Sequence, residues 1–296
     1  MCSRKLRFAI FGNIYQPKKS ASIQLLADCL ARHDDQLSIE REFYNFLTDG
    51  LHLPLPSATV FDGNAFEADF AVSMGGDGTF LRTASVVGER QTPIIGINTG
   101  RLGFLADVGT QEIESAVEAL HTGDYTIETR AAIFVETDNH SLTGYDCALN
   151  DVAILKRDNA SMITIHATID GEYLTTYQAD GLIVSTPTGS TAYSLSVGGP
   201  IIVPGTHVLS LTAVAPHSLN VRPIVISEES VIELSVEARN HSFLVALDGR
   251  SENLPDTTRL TLRRAPYRVN VVKRSGTRYF QTLRGKMMWG ADQRLT

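Results

Sequence analysis

The chain has 296 residues, 43% of them hydrophobic and 20% charged, values that exclude a disordered or fibrous protein. That length accommodates two domains better than one core. A formal net charge of −7 argues against nucleic acid or an anionic membrane as the main partner, and any polyphosphate ligand would need local neutralisation. Leu6 to Phe11 then reads as a first strand, and Ile23, Leu26, Ala27 and Leu30 mark an amphipathic helix capped by Ser20 or Ser22. Cys29 falls on the apolar side of that helix, and Leu47 to Pro56, with two prolines, reads as a loop. Phe70 to Met74 and Pro93 to Ile97 are apolar strands, with a helical face of Phe80, Leu81, Ala84 and Val87 between them. Thr110 opens a helix carrying Ile113, Ala116, Val117 and Leu120, which Gly123 stops. This alternation over residues 1–125 predicts a parallel sheet with crossover helices.

After Tyr125 the period changes to two. Ile163, Ile165, Ala167 and Ile169 lead into Asp170-Gly171, and Phe243, Val245 and Leu247 lead into Asp248-Gly249, both hairpin dipeptides. Ile232/Leu234/Val236, Leu260/Leu262 and Val269/Val271 repeat the alternation, which predicts an antiparallel all-β, sandwich-like domain. From Thr277 to Trp289 the pattern is helical again, with Phe280, Leu283 and Met287 on one face.

No apolar stretch reaches the length of a membrane span, and Met1 to Arg7 lacks a signal-peptide core, so the reading is cytoplasmic, with no membrane partner. Cys2, Cys29 and Cys147 are odd in number and read as reduced thiols. The histidines show no HxH or HExxH grouping, so no metal site built from protein alone is expected.

Between the second strand and its helix lie Gly75-Gly76-Asp77-Gly78-Thr79. A strand, a glycine-rich turn and a helix N-terminus form a phosphate cradle, because bare backbone approaches the anion and free N–H groups point at it. An aspartate in such a turn repels an anion. Asp77 therefore implies chemistry, either a base for an attacking hydroxyl or a carboxylate working with a metal on nucleotide phosphates. Taken alone, the turn is better read as a βα turn with Asp77 as helix N-cap. Arg82, one turn into the helix, is placed for phosphate or is a solvated surface arginine. Asn150-Asp151 precedes the strand-like Val152 to Leu155 and in isolation is ordinary turn chemistry. Residues 186–196 are dense in hydroxyls and glycine; Tyr193 suits stacking on a base, with Thr191, Ala192, Ser194 and Ser196 for polar contacts.

The glycine-rich turn resembles the phosphate loop shared by NAD kinases, diacylglycerol and sphingosine kinases and, more distantly, 6-phosphofructokinases. Two strings narrow the resemblance: Gly96 to Leu105, and Asp180 to Pro200. With Asn150-Asp151 and Ala215-Pro216-His217-Ser218-Leu219 in the same order, they make the chain similar to the bacterial-type NAD kinases from about Phe8 to the Trp289 region. That resemblance implies a Rossmann-like α/β domain (1–125), a β-rich NAD-binding domain (126–272) and a segment (273–296) returning to the first domain. It implies transfer of the terminal phosphate of ATP to the 2′-hydroxyl of the adenosine ribose of NAD, with Asp77 as proton acceptor. Gly75, Gly76, Gly78 and Thr79 would hold phosphate. Asp77, Gly78, Arg82, Asn150, Asp151, Asp180, Thr191, Ala192, Tyr193, Ser194, Leu195, Ser196 and Ala215 would bind NAD, with Phe104 and Thr188 as weaker matches. Mg²⁺ would arrive with ATP, and a homodimer or homotetramer is implied. The chain departs from the family at Asp151, where a glutamate is usual, at Gln178-Ala179 and at Arg250. Competing readings are a lipid kinase sharing the glycine-rich turn and a non-catalytic NAD(P) sensor.

Overall fold

Strand β1 (Arg7–Gly12) is buried at five of six positions, as a strand covered on both faces must be. The structure, a computed structural model, describes residues 5–14, 20–53, 55, 57–100, 103–157, 161–276 and 278–288. It divides into two units, one of Met1–Thr83, Thr92–Glu128 and Asn270–Thr296, the other of Ala84–Gln91 and Thr129–Val269.

In chain order β1 is followed by α1 (Ser20–Arg32), β2 (Gln36–Glu40), α2 (Arg41–Asn45), β3 (Thr59–Phe61), β4 (Phe70–Gly75), α3 (Asp77–Val87), β5 (Ile94–Asn98), β6 (Val108–Gly109), α4 (Ile113–Thr122) and β7 (Tyr125–Arg130), all in the first unit except the last residues of α3 and β7, from Ala84 and Thr129 on. The second unit contains β8 (Ile133–Thr137), β9 (Cys147–Ala148), β10 (Asp151–Lys156), β11 (Ile163–Ile169), β12 (Glu172–Ala179), β13 (Gly181–Ser185), α5 (Tyr193–Ser196), β14 (Val208–Val214), β15 (Ile224–Ser227), β16 (Ile232–Glu237), β17 (Ser242–Leu247), β18 (Arg250–Pro255) and β19 (Arg259–Arg264). Then come β20 (Val269–Arg274) and α6 (Tyr279–Met287).

The first sheet runs β3-β2-β1-β4-β5-β20-β7, with β6 also beside β5. Its pairs β1–β2, β1–β4, β2–β3, β4–β5, β5–β6 and β5–β20 are parallel. Phe8, Ile10, Val72, Ile95 and Ile97 pack in one core with Leu26, Cys29 and Leu30 of α1 and Ile113, Val117 and Leu120 of α4. Gly123 ends α4 in the left-handed region at φ 79, its N–H on Ala119 O. Two expectations change here. Leu47 to Gly50, expected as the start of a loop, lies in a π-helical turn (Phe46–Gly50) after α2, because Leu47 is fully buried in the core; Pro54 and Pro56 lie outside the described residues. Val271, expected in the β domain, belongs to the first unit and its parallel sheet, where it pairs with Ile94, while Val269, at the start of the same strand, is the last residue of the second unit. A period of two reports a half-buried strand but does not identify its neighbour.

The second unit is two six-stranded antiparallel sheets, β15-β14-β13-β10-β17-β18 and β12-β11-β16-β19-β8-β9. Val152, Ile154, Leu182 and Val245 of one share a core with Ile165, Leu234, Leu260 and Val135 of the other. This is the sandwich-like β domain that the alternation implies. Both hairpin dipeptides take positive φ at both residues: Asp170 at 52 and Gly171 at 80, Asp248 at 49 and Gly249 at 83. That is the turn whose twist suits a two-residue hairpin. In α6 the apolar face is narrower than expected. Leu283 is buried, but Phe280 is 57% exposed, and Thr277 and Trp289 lie outside the described residues.

Candidate active site

The turn from β4 into α3 is shaped by its first glycine. A Cβ on Gly75 would lie 2.1 Å from Thr79 Oγ1, so the chain closes this tightly only with a bare Cα. Around Gly76 and Gly78 there is open space instead. These residues, Thr79 and Arg82 line a cavity of about 380 Å³ together with Gly12 and Asn13 at the end of β1. β1 and β4 are the adjacent strands at which the order of the sheet reverses, the place where open α/β sheets bind ligands. Arg82 is not a free surface arginine. Its Nη1 and Nη2 donate to the two carboxylate oxygens of Glu40 at 2.7 Å each, and Nη2 also donates to Gly12 O at 3.0 Å. Three of its five N–H groups are thus engaged, and the guanidinium is fixed in the cavity wall.

Asp77 is the first residue of α3 but does not cap it. Its Oδ2 accepts the Phe104 N–H at 2.9 Å, and Oδ1 accepts those of Leu105 and Ala106 at 3.0 Å each. Of roughly four lone-pair directions on the carboxylate, three are taken by amides, and the remaining one belongs to Oδ2. Gly103 packs on the same carboxylate, while Arg101 and Leu102 of this string lie outside the described residues. Asp77 borders a second cavity, about 1310 Å³ in volume, also lined by Asn98, Asp107, Glu112, Arg278 and Lys286. The other acidic groups there are occupied: Asp107 by Lys273 at 2.5 Å and Glu112 by Arg274 at 2.8 Å. Lys286 lies over the Phe104 ring, 4.6 Å from its centroid. Burial lowers the Lys286 pKa, and the field of Asp77 partly restores it.

In the second unit, Asn150 immediately precedes β10 and Asp151 opens it. Asp151 is buried and its carboxyl accepts the backbone N–H of Tyr193. Burial, and then the nearby Asp248 carboxylate, push its pKa up from 3.8 to about 7. The Asn150 Oδ1 is buried with no hydrogen-bond partner among the described residues, an arrangement that a ligand donor would relieve.

The hydroxyls of residues 186–196 divide by direction. Thr186 Oγ1 donates to Leu149 O at 2.6 Å, and Ser190 Oγ donates to Pro187 O at 2.7 Å. Ser194, expected to offer its hydroxyl to a ligand, is fully buried against Thr212 Oγ1 at 3.2 Å, and Gly199 is pressed onto it. Its side chain is structural because the turn folds back on β14. Tyr193 is 39% exposed, and Thr191, Ala192 and Leu195 are half-buried. Ser196 is exposed and donates to Tyr193 O at 2.7 Å. Thr188 is half-buried beside them.

Asp180 pairs with Lys156 at 2.7 Å. Ala215 is exposed at φ 44, a left-handed conformation that costs a non-glycine residue about 1–2 kcal/mol. Of the departures, Arg250 Nη2 donates to Tyr145 O at 3.1 Å and its guanidinium lies 5.4 Å from that ring's centroid. The Gln178 carbonyl accepts the His217 N–H at 2.8 Å, and Ala179 is fully buried. Sequence reasoning missed Thr186 and Asp248 as supports of Asn150. Thr186 is hidden among similar hydroxyls, and Asp248 reads as a turn residue.

The chain matches the family model described as ATP-NAD kinase N-terminal domain over residues 56–125, and that described as ATP-NAD kinase C-terminal domain over 149–274. An NAD kinase of Bacteroides fragilis is 55% identical over 290 residues, which is 98% of this chain and 100% of that protein. This chain belongs to the NAD kinase family. The match to the C-terminal domain leaves a lipid kinase disfavoured. Among solved structures, a yeast NADH kinase complexed with NADH has a TM-score of 0.89 at 21% identity, over 99% of this chain and 90% of that one, a likeness of fold. An NAD kinase from Archaeoglobus fulgidus in complex with ATP has a TM-score of 0.72 at 26% identity, over 95% and 98%. Among the described residues no helix is long and apolar enough to cross a membrane, and no three His, Cys, Asp or Glu side chains converge.

Proposed function

We propose that the chain is an ATP-dependent kinase of NAD whose proton acceptor is Asp77. The observation that carries this reading is the Asp77 carboxylate, oriented by three backbone N–H groups and bordering a cavity with one lone pair unclaimed. Such a group holds a fixed direction without a side-chain partner, as a base must. The ribose 2′-hydroxyl passes its proton to Asp77 Oδ2 as its oxygen attacks the terminal phosphorus of ATP. The bond to the bridging oxygen breaks in line, and NADP and ADP leave.

The N–H groups of Gly76 and Gly78 and the hydroxyl of Thr79, at the positive end of α3, support binding of phosphate, with Arg82 fixed beside them; the Thr79 N–H itself donates to Gly76 O at 3.0 Å. In the second unit, the orphaned amide oxygen of Asn150 suits the exocyclic amine of adenine, and Tyr193 offers an exposed ring to a base. Asp151, Asp180, Thr191, Ala192, Leu195, Ser196 and Ala215 are assigned to the same ligand, with Ser194 contributing through its backbone. Kinship with enzymes solved with NADH and with ATP supports the substrate pair.

A magnesium ion held mainly by the phosphates fits this set, since such an ion needs only one or two carboxylates. Asp107 and Glu112 of the larger cavity are already paired with Lys273 and Arg274, and the free lone pair of Asp77 is assigned to the proton, so the phosphates themselves would hold the ion, which would neutralise charge on the transferred group. We assign the protein to the cytoplasm as a homodimer or homotetramer. The test is direct: the purified chain with ATP, Mg²⁺ and NAD forms NADP, read by an NADP-specific dehydrogenase. No NADP from NAD or NADH, with ATP or inorganic polyphosphate, overturns the reading.

A further inference from the structure

The backbone of Leu149 and Asn150 lies ahead of β10, so its N–H and C=O groups have no ladder to join, yet all four are satisfied. The Leu149 carbonyl accepts Thr186 Oγ1 at 2.6 Å, and the Asn150 carbonyl accepts the Thr186 N–H at 2.9 Å and Ser185 Oγ at 3.3 Å. On the other side a single carboxylate takes three consecutive amides. Asp248 Oδ2 accepts Leu149 N–H at 2.7 Å, and Oδ1 accepts Asn150 N–H at 2.7 Å and Asp151 N–H at 3.2 Å. In return the Asp248 N–H donates to Asp151 O at 3.1 Å. Successive amides converging on one anion form a nest, here filled from within the chain. A third restraint is steric, since a Cβ on Gly189 would lie 2.0 Å from Asn150 O.

The hairpin explains why an aspartate does this. Asp248 begins the two-residue turn between β17 and β18 at φ 49, a conformation that short polar side chains tolerate. Val152 pairs with Leu247, so the turn residue falls next to the start of β10. A neutral turn residue such as asparagine would satisfy the backbone geometry equally well. It would present one oxygen where three N–H groups converge, and its NH₂ would meet an N–H head on.

We infer that Asp248 is a positioning residue for nucleotide binding, acting by fixing the Asn150-Asp151 backbone so that the Asn150 amide is held with its acceptor unpaired and its rotamer set. The inference rests on the NAD kinase reading for what Asn150 binds. The arrangement is mechanically stiff: the dipeptide is clamped by a carboxylate on its amide side, two hydroxyl residues on its carbonyl side and a bare Cα across it. Among the described residues, the buried side-chain atom of this assembly that lacks a hydrogen-bond partner is the Asn150 Oδ1, the one offered to the ligand. Preorganisation of this kind moves affinity without touching the reacting atoms.

The test uses the full chain with Asp248→Asn and Asp248→Glu, and reads two quantities. Amide hydrogen exchange at residues 149–151 reports the clamp, and steady-state kinetics report its use. For Asp248→Asn we expect exchange there to quicken about tenfold or more, KM for NAD to rise about tenfold, and kcat and KM for ATP to stay within about threefold. Asp248→Glu, which keeps the charge on a longer arm, should fall between. Because Asp248 acts through Asn150, adding Asp248→Asn to Asn150→Ala should raise KM little further, whereas additive effects would overturn the proposal. If Asp248→Asn does not fold, the glutamate variant decides: faster exchange at 149–151 with an unchanged KM for NAD rejects a positioning role. A wild-type chain that makes no NADP would instead remove the functional reading and leave the exchange result standing.

Discussion

A Cβ on Gly103 would lie 1.9 Å from Asp77 Oδ1, so the carboxylate occupies the volume that any other side chain at this position would claim. Two residues far apart in sequence are thereby coupled: the glycine makes room, and the amides just beyond it, from Phe104 to Ala106, orient the carboxylate. Gly103→Ala must move Asp77, and a displacement near 1 Å of a reacting group costs about 10²-fold in rate. We expect kcat to fall by that order with KM for NAD nearly unchanged. A Gly103→Ala enzyme with wild-type kcat would mean the position of Asp77 is irrelevant to the chemistry.

Asp77→Asn keeps the shape and removes proton acceptance, so kcat should drop by about 10²–10⁴. NAD affinity, measured by calorimetry on the inactive variant, should change far less. The same substitution leaves fewer acceptors for three N–H groups, and a lower melting temperature should accompany it. Near-normal turnover would remove Asp77 from its role.

Asp151 provides the pH dependence. Burial and Asp248 raise its carboxyl from 3.8 to about 7. Between those values the folded chain holds a proton that the unfolded chain has released. Stability from this group is therefore full below about pH 4 and is lost as pH rises through 7. Asp151→Asn abolishes the dependence, so its melting temperature should gain on the wild type from pH 5 to pH 8; parallel curves would refute this. If the ionised carboxylate also grips ribose hydroxyls, the asparagine variant loses roughly 1.5–3 kcal/mol. KM for NAD then rises about tenfold, while Asp151→Glu is mild.

Arg82→Lys replaces a fork by a point charge and cannot make both 2.7 Å bonds to Glu40. Leaving the buried Glu40 partly unpaired should lower stability by about 1–3 kcal/mol. KM for ATP should rise if Arg82 serves phosphate. A thermal shift with unaltered ATP kinetics would reduce Arg82 to part of the cavity wall.

For assembly, light scattering at micromolar concentration should give at least twice the chain mass, with two-fold symmetry. A single-chain mass would contradict it.

Long, strongly patterned elements were legible in the sequence. The strand Ile163–Ile169 has the bounds its alternation implies, and Gly123 ends α4 as its position requires. The strands Gln36–Glu40 and Thr59–Phe61 were not, because only their last residues are buried and a period cannot be read from five residues or three. At the candidate site, glycine spacing found the turn before α3, since close approach demands bare backbone. Hydroxyl density misjudged Ser194, because a serine that bonds its own fold and one that faces a ligand look alike in sequence. The partners that hold Asp77 and Asn150 in place are 26 or more residues away along the chain, and no local pattern announces them.

The place of β20 in the first sheet constrains the order in which this protein can be made. β5 ends at Asn98 and β7 at Arg130, yet β20, which lies between them, begins at Val269. As the chain leaves the ribosome, the whole β sandwich emerges before β5 receives that neighbour. At roughly 5–20 residues per second, the wait lasts on the order of ten seconds. Throughout it β7 has no strand to pair with, and Val272 is missing from the first core. The nascent first domain thus carries unpaired strand edges of the kind that recruit chaperones or aggregate, and a chain stopped short of Val269 would keep them for good.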